Sequence, residues 1–131
     1  MDVAIVSPEK RVWEGEADMV VARSPEGEFA ILRGHIPFLA ALVPGAVKVA
    51  SGDSKEIFFI TGGVLEASGP RDNYHVIVLA DDAERAGDID LDQAKSMLEQ
   101  RRRMGDTDER AEAEMRAALA RVEIAQQESL S

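Results

Sequence analysis

The stretch Ile57-Phe58-Phe59-Ile60-Thr61-Gly62-Gly63-Val64-Leu65-Glu66-Ala67-Ser68-Gly69-Pro70 decides the class of fold. Two short apolar runs are divided by Thr-Gly-Gly and closed by Ser-Gly-Pro. Each run is too short for an ordinary helix, and each ends in residues that favour turns. That is the pattern of strand, tight turn and strand. The rhythm repeats outward in both directions. On the N-terminal side, apolar runs at 3–6, 12–13, 19–22, 29–32 and 38–43 and the alternating Val47-Lys48-Val49 end at signals such as Ser7-Pro8, Ser24-Pro25-Glu26-Gly27, Pro44-Gly45 and Ser51-Gly52-Asp53. On the C-terminal side one more run, 76–79, ends at Asp81-Asp82. Nine runs at about 8–12-residue spacing predict an antiparallel sandwich or barrel of about nine to ten strands. The runs 57–60 and 76–79 are apolar at every position, so both are expected to be central strands covered on each side.

After Asp81-Asp82 the composition changes. Ala, Glu, Asp, Arg and Gln replace the β-branched and aromatic residues, which places a boundary between 1–82 and 83–131. Asp88 or Asp90 is suited to cap a first helix, whose apolar stripe is Leu91, Ala94 and Leu98 with Met97 and Met104 alongside. Gly105-Asp106-Thr107 breaks it, and Thr107 or Asp106 is expected to cap a second helix of about 20 residues, roughly 30 Å long. Its stripe is Ala111, Met115, Ala118, Val122 and Ala125, widened by Leu119. So short a break predicts an antiparallel two-helix hairpin. Alanine buries little area, so this hairpin is expected to dock weakly and to be able to let go.

Composition narrows the function classes. The chain has 131 residues, 45% of them hydrophobic, enough for one domain or a domain with an appendage. It has no cysteine, which excludes disulfides, thiolate metal sites and a cysteine nucleophile. The net charge is −10, so nucleic acid and anionic lipid are poor partners and basic surfaces good ones. No run of about 18 apolar residues exists, and the start, Met1-Asp2-Val3-Ala4, is read as mature sequence that enters structure directly, in the cytosol or a complex facing it. Gly62-Gly63 lacks the spacing of a phosphate loop, and the two histidines, His35 and His75, have no partner at metal-ligand spacing. Asp81-Asp82 and Asp88/Asp90 read as loop and cap acids rather than a metal site, and no catalytic or metal residue is assigned. His35, in a Gly-His-Ile-Pro turn, is either bonded to the local backbone or a partner contact.

Residues 27–45, Gly27-Glu28-Phe29-Ala30-Ile31-Leu32-Arg33-Gly34-His35-Ile36-Pro37-Phe38-Leu39-Ala40-Ala41-Leu42-Val43-Pro44-Gly45, resemble the hallmark of the epsilon subunit of F-type ATP synthases, usually read G-E-F-G-I-L-P-G-H-A-P-L-L-T-x-L-x-P-G. Thr61-Gly62-Gly63-Val64-Leu65-Glu66 resembles that family's G-G-x-L-E turn, and Val76-Ile77-Val78-Leu79-Ala80-Asp81 its last strand before the helices. The opening Val6-Ser7-Pro8-Glu9 also fits, so the resemblance runs through the chain in order. Ala30 stands where glycine is usual and Arg33 where proline is usual.

The resemblance implies an N-terminal β-sandwich of about ten strands (1–82) that binds the gamma subunit and the c-ring, and a C-terminal regulatory hairpin (83–131). It implies a non-catalytic central-stalk, or rotor, subunit that couples ring rotation to the catalytic alpha and beta subunits, peripheral to the cytoplasmic face of a bacterial cell membrane. The hairpin would restrain ATP hydrolysis by opening toward the beta subunits. Glu28, Arg33 and His35 would then be rotor contacts, with Glu28 near the polar loop of a c subunit. Arg101, Arg102, Arg103, Arg110, Arg116 and Arg121 would face the catalytic subunits, or form ordinary helix-surface pairs such as Glu112–Arg116. Some members bind ATP through an I-D-x-x-R-A pattern. Here the stretch is Ile89-Asp90-Leu91-Asp92-Gln93-Ala94, with glutamine in the arginine position, so Asp90 is a weak nucleotide candidate or a helix cap and no cofactor beyond weak ATP binding is expected. Two other classes fit less of the chain: a free-standing adaptor of the same layout, and a small acidic enzyme, which would need convergent acids.

Overall fold

The structure, a computed structural model, describes residues 1–105 and 107–129. Ten strands form two five-stranded sheets. The first orders β2 (Arg11–Glu16), β1 (Asp2–Val6), β9 (His75–Ala80), β8 (Gly63–Ser68) and β5 (Phe38–Leu42). The second orders β10 (Ala83–Arg85), β7 (Ser54–Ile60), β6 (Gly45–Ser51), β3 (Met19–Ser24) and β4 (Gly27–Leu32). The nine apolar runs each supply one strand. The tenth, Ala83–Arg85, carries no apolar run and extends the second sheet past the compositional break by pairing with Phe58–Ile60 of β7. All neighbours are antiparallel except β1 and β9, which run parallel, with Val3 beside Val76 and Ile5 beside Val78. The expected antiparallel sandwich therefore closes its first sheet by a parallel pair.

Alternation fills the space between the sheets. Val3, Ile5, Leu65, Val76 and Val78 point inward from the first sheet, and Val20, Ile31, Val47, Phe58 and Ile60 from the second, all buried. Only one of the two fully apolar runs has cover on both sides. In β7, Phe58 and Ile60 enter the inter-sheet core while Ile57 and Phe59 face the helices. In β9 the inward residues are buried, but Leu79 on the outer face is 52% exposed. Among the described residues nothing covers Leu79 on that side. Register aligns Val6, Leu79, Val64 and Ala41 in one row across four strands, so the uncovered face is apolar.

Two local features fix the sandwich ends. Gly63, at φ 143, lies where a Cβ would stand 2.1 Å from the Leu79 carbonyl oxygen, so the turn from β7 to β8 admits only glycine. Tyr74 is buried, and its hydroxyl donates to the Ile36 carbonyl at 3.2 Å, tying the 33–37 loop to the start of β9. Burial pushes the Tyr74 hydroxyl above its ordinary pKa of 10.0 and keeps it a donor.

The helices are α1 (Leu91–Met104) and α2 (Glu109–Ser129). Asp90 caps α1, its side chain accepting from the Gln93 N–H at 3.1 Å, and Gly105 ends it in the left-handed conformation at φ 66. The cap of α2 is Asp108, whose carboxylate accepts from the Ala111 N–H at 2.7 Å. It replaces the expected Thr107, and Asp106 lies outside the described residues. The wider break lets α2 fold back along α1 as the antiparallel hairpin. Of the expected stripes, Ala94, Leu98, Val122 and Ala125 are buried, while Met97, Met104 and Leu119 are exposed and Ile124 takes the buried place instead. Leu119 fails because the seat lies to the other side of the Ala118–Val122 line, which brings in Ile124.

Gly63→Ala is expected to cost about 3 kcal/mol or more, since strain at positive φ adds to a backbone clash, as denaturant unfolding would measure. Tyr74→Phe is expected to cost about 1 kcal/mol below pH 10. The folded-state pKa is raised, so the parent's stability is intact below the unfolded tyrosine value and falls as pH climbs above it. Urea titrations from pH 8 to 11 should show that slope in the parent and not in Tyr74→Phe.

Candidate functional site: the seat of the helical hairpin

The hairpin rests on the outer face of the second sheet. Phe59 projects from β7 into a second apolar cluster with Ala86, Ile89, Ala94, Leu98, Val122, Ile124 and Ala125, all buried. Half of the helical members, counting those partly buried, are alanines, so the seat buries modest area for its length.

A partly buried charged residue borders this seat. Arg121 falls three residues after Ala118 and four before Ala125, on the stripe that faces the sheet. A guanidinium there needs partners. Its Nε donates to Glu84 Oε2 at 2.7 Å and its Nη2 to Glu84 Oε1 at 3.0 Å, a two-bond fork to β10. The same Nη2 donates to Gln93 Oε1 of α1 at 3.0 Å. The side chains of Arg121 and Glu84 are 17% and 32% exposed, so the fork is partly withdrawn from water. Hydrogen bonding to Glu84, with the charges of Glu84, Asp82 and Asp90, holds the Arg121 pKa above its ordinary value against the opposing effect of burial. Charge-assisted forks of this kind are short and roughly twice as strong as neutral hydrogen bonds. Arg121 thus joins α2, α1 and the sandwich at one point.

The other expected arginines scatter. Arg101 turns inward and pairs with Glu114 of α2. Arg110 reaches the same Glu114 at 3.4 Å, and Arg103 pairs with Glu99 at 3.6 Å. Among the described residues Arg102 and Arg116 form no ion pair, so the Glu112–Arg116 pair is absent. Successive helical positions turn by about 100°, so Arg101–Arg103 do not present one basic face.

The expected rotor contacts divide between the two ends of β4. Glu28 stands near its start and, with Arg23 and Lys48, lines an open hollow of ≈ 430 Å³ bounded on the other side by Ala120, Glu123 and Ile124 of α2. Arg33 and His35 lie beyond its far end, about 16 Å away by strand rise. Glu28 and the His35 turn therefore stand at opposite ends of β4. His35 bonds its own backbone, Nδ1 to the Ile36 carbonyl oxygen at 2.8 Å, and packs edge-on against Phe38. Asp90 caps α1 and also adds to the field on Arg121. Among the described residues no group of three or more acids and histidines could hold a metal ion.

A ten-strand sandwich bearing a two-helix hairpin on one outer face, with Arg121 of α2 forked to Glu84 of β10, defines a β-sandwich protein with a helical hairpin appended. Residues 1–86 match the model of the ATP synthase delta/epsilon chain β-sandwich domain. The ATP synthase epsilon chain of Acidithiobacillus ferridurans is 40% identical over 96% of this chain and 91% of its own length. That of Hydrogenovibrio crunogenus is 42% identical over 96% and 83%. A chain in the cryo-EM structure of the Euglena gracilis mitochondrial ATP synthase shares the fold, with a TM-score of 0.75 at 23% identity over 98% of this chain and 80% of that one. The chain belongs to the ATP synthase delta/epsilon family, as an epsilon chain.

Breaking the Arg101–Glu114 contact tests the hairpin's own cohesion. Arg101→Ala is expected to lower the melting temperature of the helical signal by a few degrees, since a half-exposed pair contributes about 1 kcal/mol. Circular dichroism should show the sandwich transition unchanged.

Proposed function

We propose that this chain is a non-catalytic rotor subunit of a proton-translocating F-type ATP synthase, held by the gamma subunit and the c-ring at the cytoplasmic face of a bacterial membrane. The observation that carries the reading is likeness to ATP synthase epsilon chains along nearly the whole chain, helices included. No helix among the described residues is long and apolar enough to cross a membrane, so attachment would come through the complex. The chain has no active site in this reading; its task is to transmit torque and to regulate. A doubly layered sheet with a dry core suits torque, because dense cores deform little. The free-standing adaptor remains the rival reading, and co-purification with gamma and the catalytic subunits separates the two.

The uncovered apolar face of the first sheet is the surface we assign to gamma. Leu79, Val64 and Leu39 are exposed there at 52%, 38% and 69% on a rigid sheet, and such contiguous apolar area marks a protein contact. Glu28, at the other sheet's edge, is assigned to the c-ring, and Arg33 and His35 to a contact at the opposite end. The hairpin is the regulatory part. When it opens, Arg102 and Arg116, which form no ion pair among the described residues, and the other arginines become available to acidic segments of the beta subunits. In the closed hairpin, ATP has little to bind. Gln93 stands where the family's arginine is usual, and Nε and Nη2 of Arg121 are engaged by Glu84 and Gln93.

Removing residues 89–131 is expected to leave a folded sandwich that still binds gamma, and to raise or leave unchanged ATP hydrolysis by the assembled complex. Lower hydrolysis with intact assembly would contradict the regulatory role. Leu79→Glu is expected to weaken gamma binding at least tenfold by surface plasmon resonance, with no loss of thermal stability. Calorimetry of the isolated chain with ATP is expected to give no micromolar binding. Gln93→Arg should strengthen whatever binding exists.

A further inference from the structure

We propose that the Glu84–Arg121 fork, with Gln93 as its third partner, is the latch that keeps the hairpin closed in this chain, and that it needs no nucleotide or other ligand to do so. The proposal rests on the reading of the hairpin as the moving, regulatory part. Three observations support it. Among the described residues the fork is the one ion pair between a helix and the sandwich; the others lie within the sandwich or within the hairpin. Its geometry is two-pronged at 2.7 and 3.0 Å. It also stands partly withdrawn from water beside the apolar seat, on the α2 stripe between Ala118 and Ala125, where alanines supply about half of the contacts.

The surrounding charges explain why one arginine suffices. Arg121 feels Glu84 from β10, Asp82 from the corner before it and Asp90 from the cap of α1. Lifting α2 away removes the one positive charge from among three carboxylates of the sandwich edge and the linker. Opening therefore exposes Phe59 to water, leaves Glu84 without its fork and takes the guanidinium charge away from Asp82 and Asp90. Gln93 adds specificity of a different kind. Its amide oxygen accepts from Arg121, so α1 is held in register with α2 and both are held to β10. An arginine in its place would repel Arg121. Glutamine at position 93 thus converts a place for an external anion into an internal contact. The closed state is then favoured in the absence of any effector, and the signal that opens it must offer Arg121 another acid.

The chain has no cysteine, so Asp53→Cys and Lys95→Cys give a clean dye pair across the sandwich and α1. Single-molecule energy transfer on the isolated full chain, without nucleotide, reads the open-to-closed ratio. Glu84→Gln and Arg121→Gln are each expected to raise that ratio roughly ten- to a hundredfold. The double variant should open no further than the worse single, because both changes remove one interaction. Arg121→Lys should fall between parent and Arg121→Gln, and Gln93→Ala should open the hairpin only about two- to fivefold. Salt from about 50 to 500 mM should open the parent and have little effect on Arg121→Gln. Ratios like the parent's in both single variants, or full additivity in the double, would overturn the latch. Thermal melting of the sandwich guards against general unfolding. If the variants open the isolated chain yet leave hydrolysis by the assembled complex unchanged, the latch stands and the regulatory reading falls.

Discussion

Strand β7 serves two cores at once, and the rest of the molecule follows from its period of two. Phe58 and Ile60 point into the space between the sheets, while Ile57 and Phe59 point out beneath the helices. A slip of one residue would exchange the two sets and empty both. The Gly62-Gly63 turn holds the register at the strand's end, since no side chain fits against the Leu79 carbonyl oxygen. The hairpin therefore has a seat because the sandwich is correctly paired.

The two cores differ in kind. The inter-sheet core contains large aliphatic and aromatic residues from every strand layer, several of them wholly buried. The seat contains one phenylalanine, a few branched residues and many alanines. At about 25 cal/mol per Å² the second gains far less from burial than the first. An ionic contact can then decide the balance, which it could not do in a larger core. Electrostatics also gives direction: the acids are on the sandwich edge and the linker, the cation on α2.

The sandwich was legible because turn residues punctuated every apolar run. Its tenth strand was not, because Ala83-Glu84-Arg85 is short and mostly polar and is placed by pairing with β7 rather than by its own pattern. The parallel meeting of β1 and β9 depends on the path of the whole chain, which local runs do not carry. The covered side of β9 was misjudged for a related reason: four apolar residues in a row announce two apolar faces, not who covers the second. The fork between positions 84 and 121 was hidden by separation in sequence. A clue existed, since Arg121 interrupts an otherwise apolar stripe, and a buried charge calls for a partner. Reading the arginines as one group obscured it. Helical geometry divides them, sending Arg101 inward, Arg102 and Arg103 outward and Arg121 to the border of the seat.

Native-state hydrogen exchange on the isolated chain tests the division into a rigid sandwich and a detachable hairpin most directly. Amides of α1 and α2 should exchange through an opening several kcal/mol less costly than global unfolding, together with one another, while the central amides of β1, β8 and β9 exchange only through global unfolding. Equal protection in helices and sheets, lost in a single step with denaturant, would mean that the chain is one cooperative unit and would contradict the account.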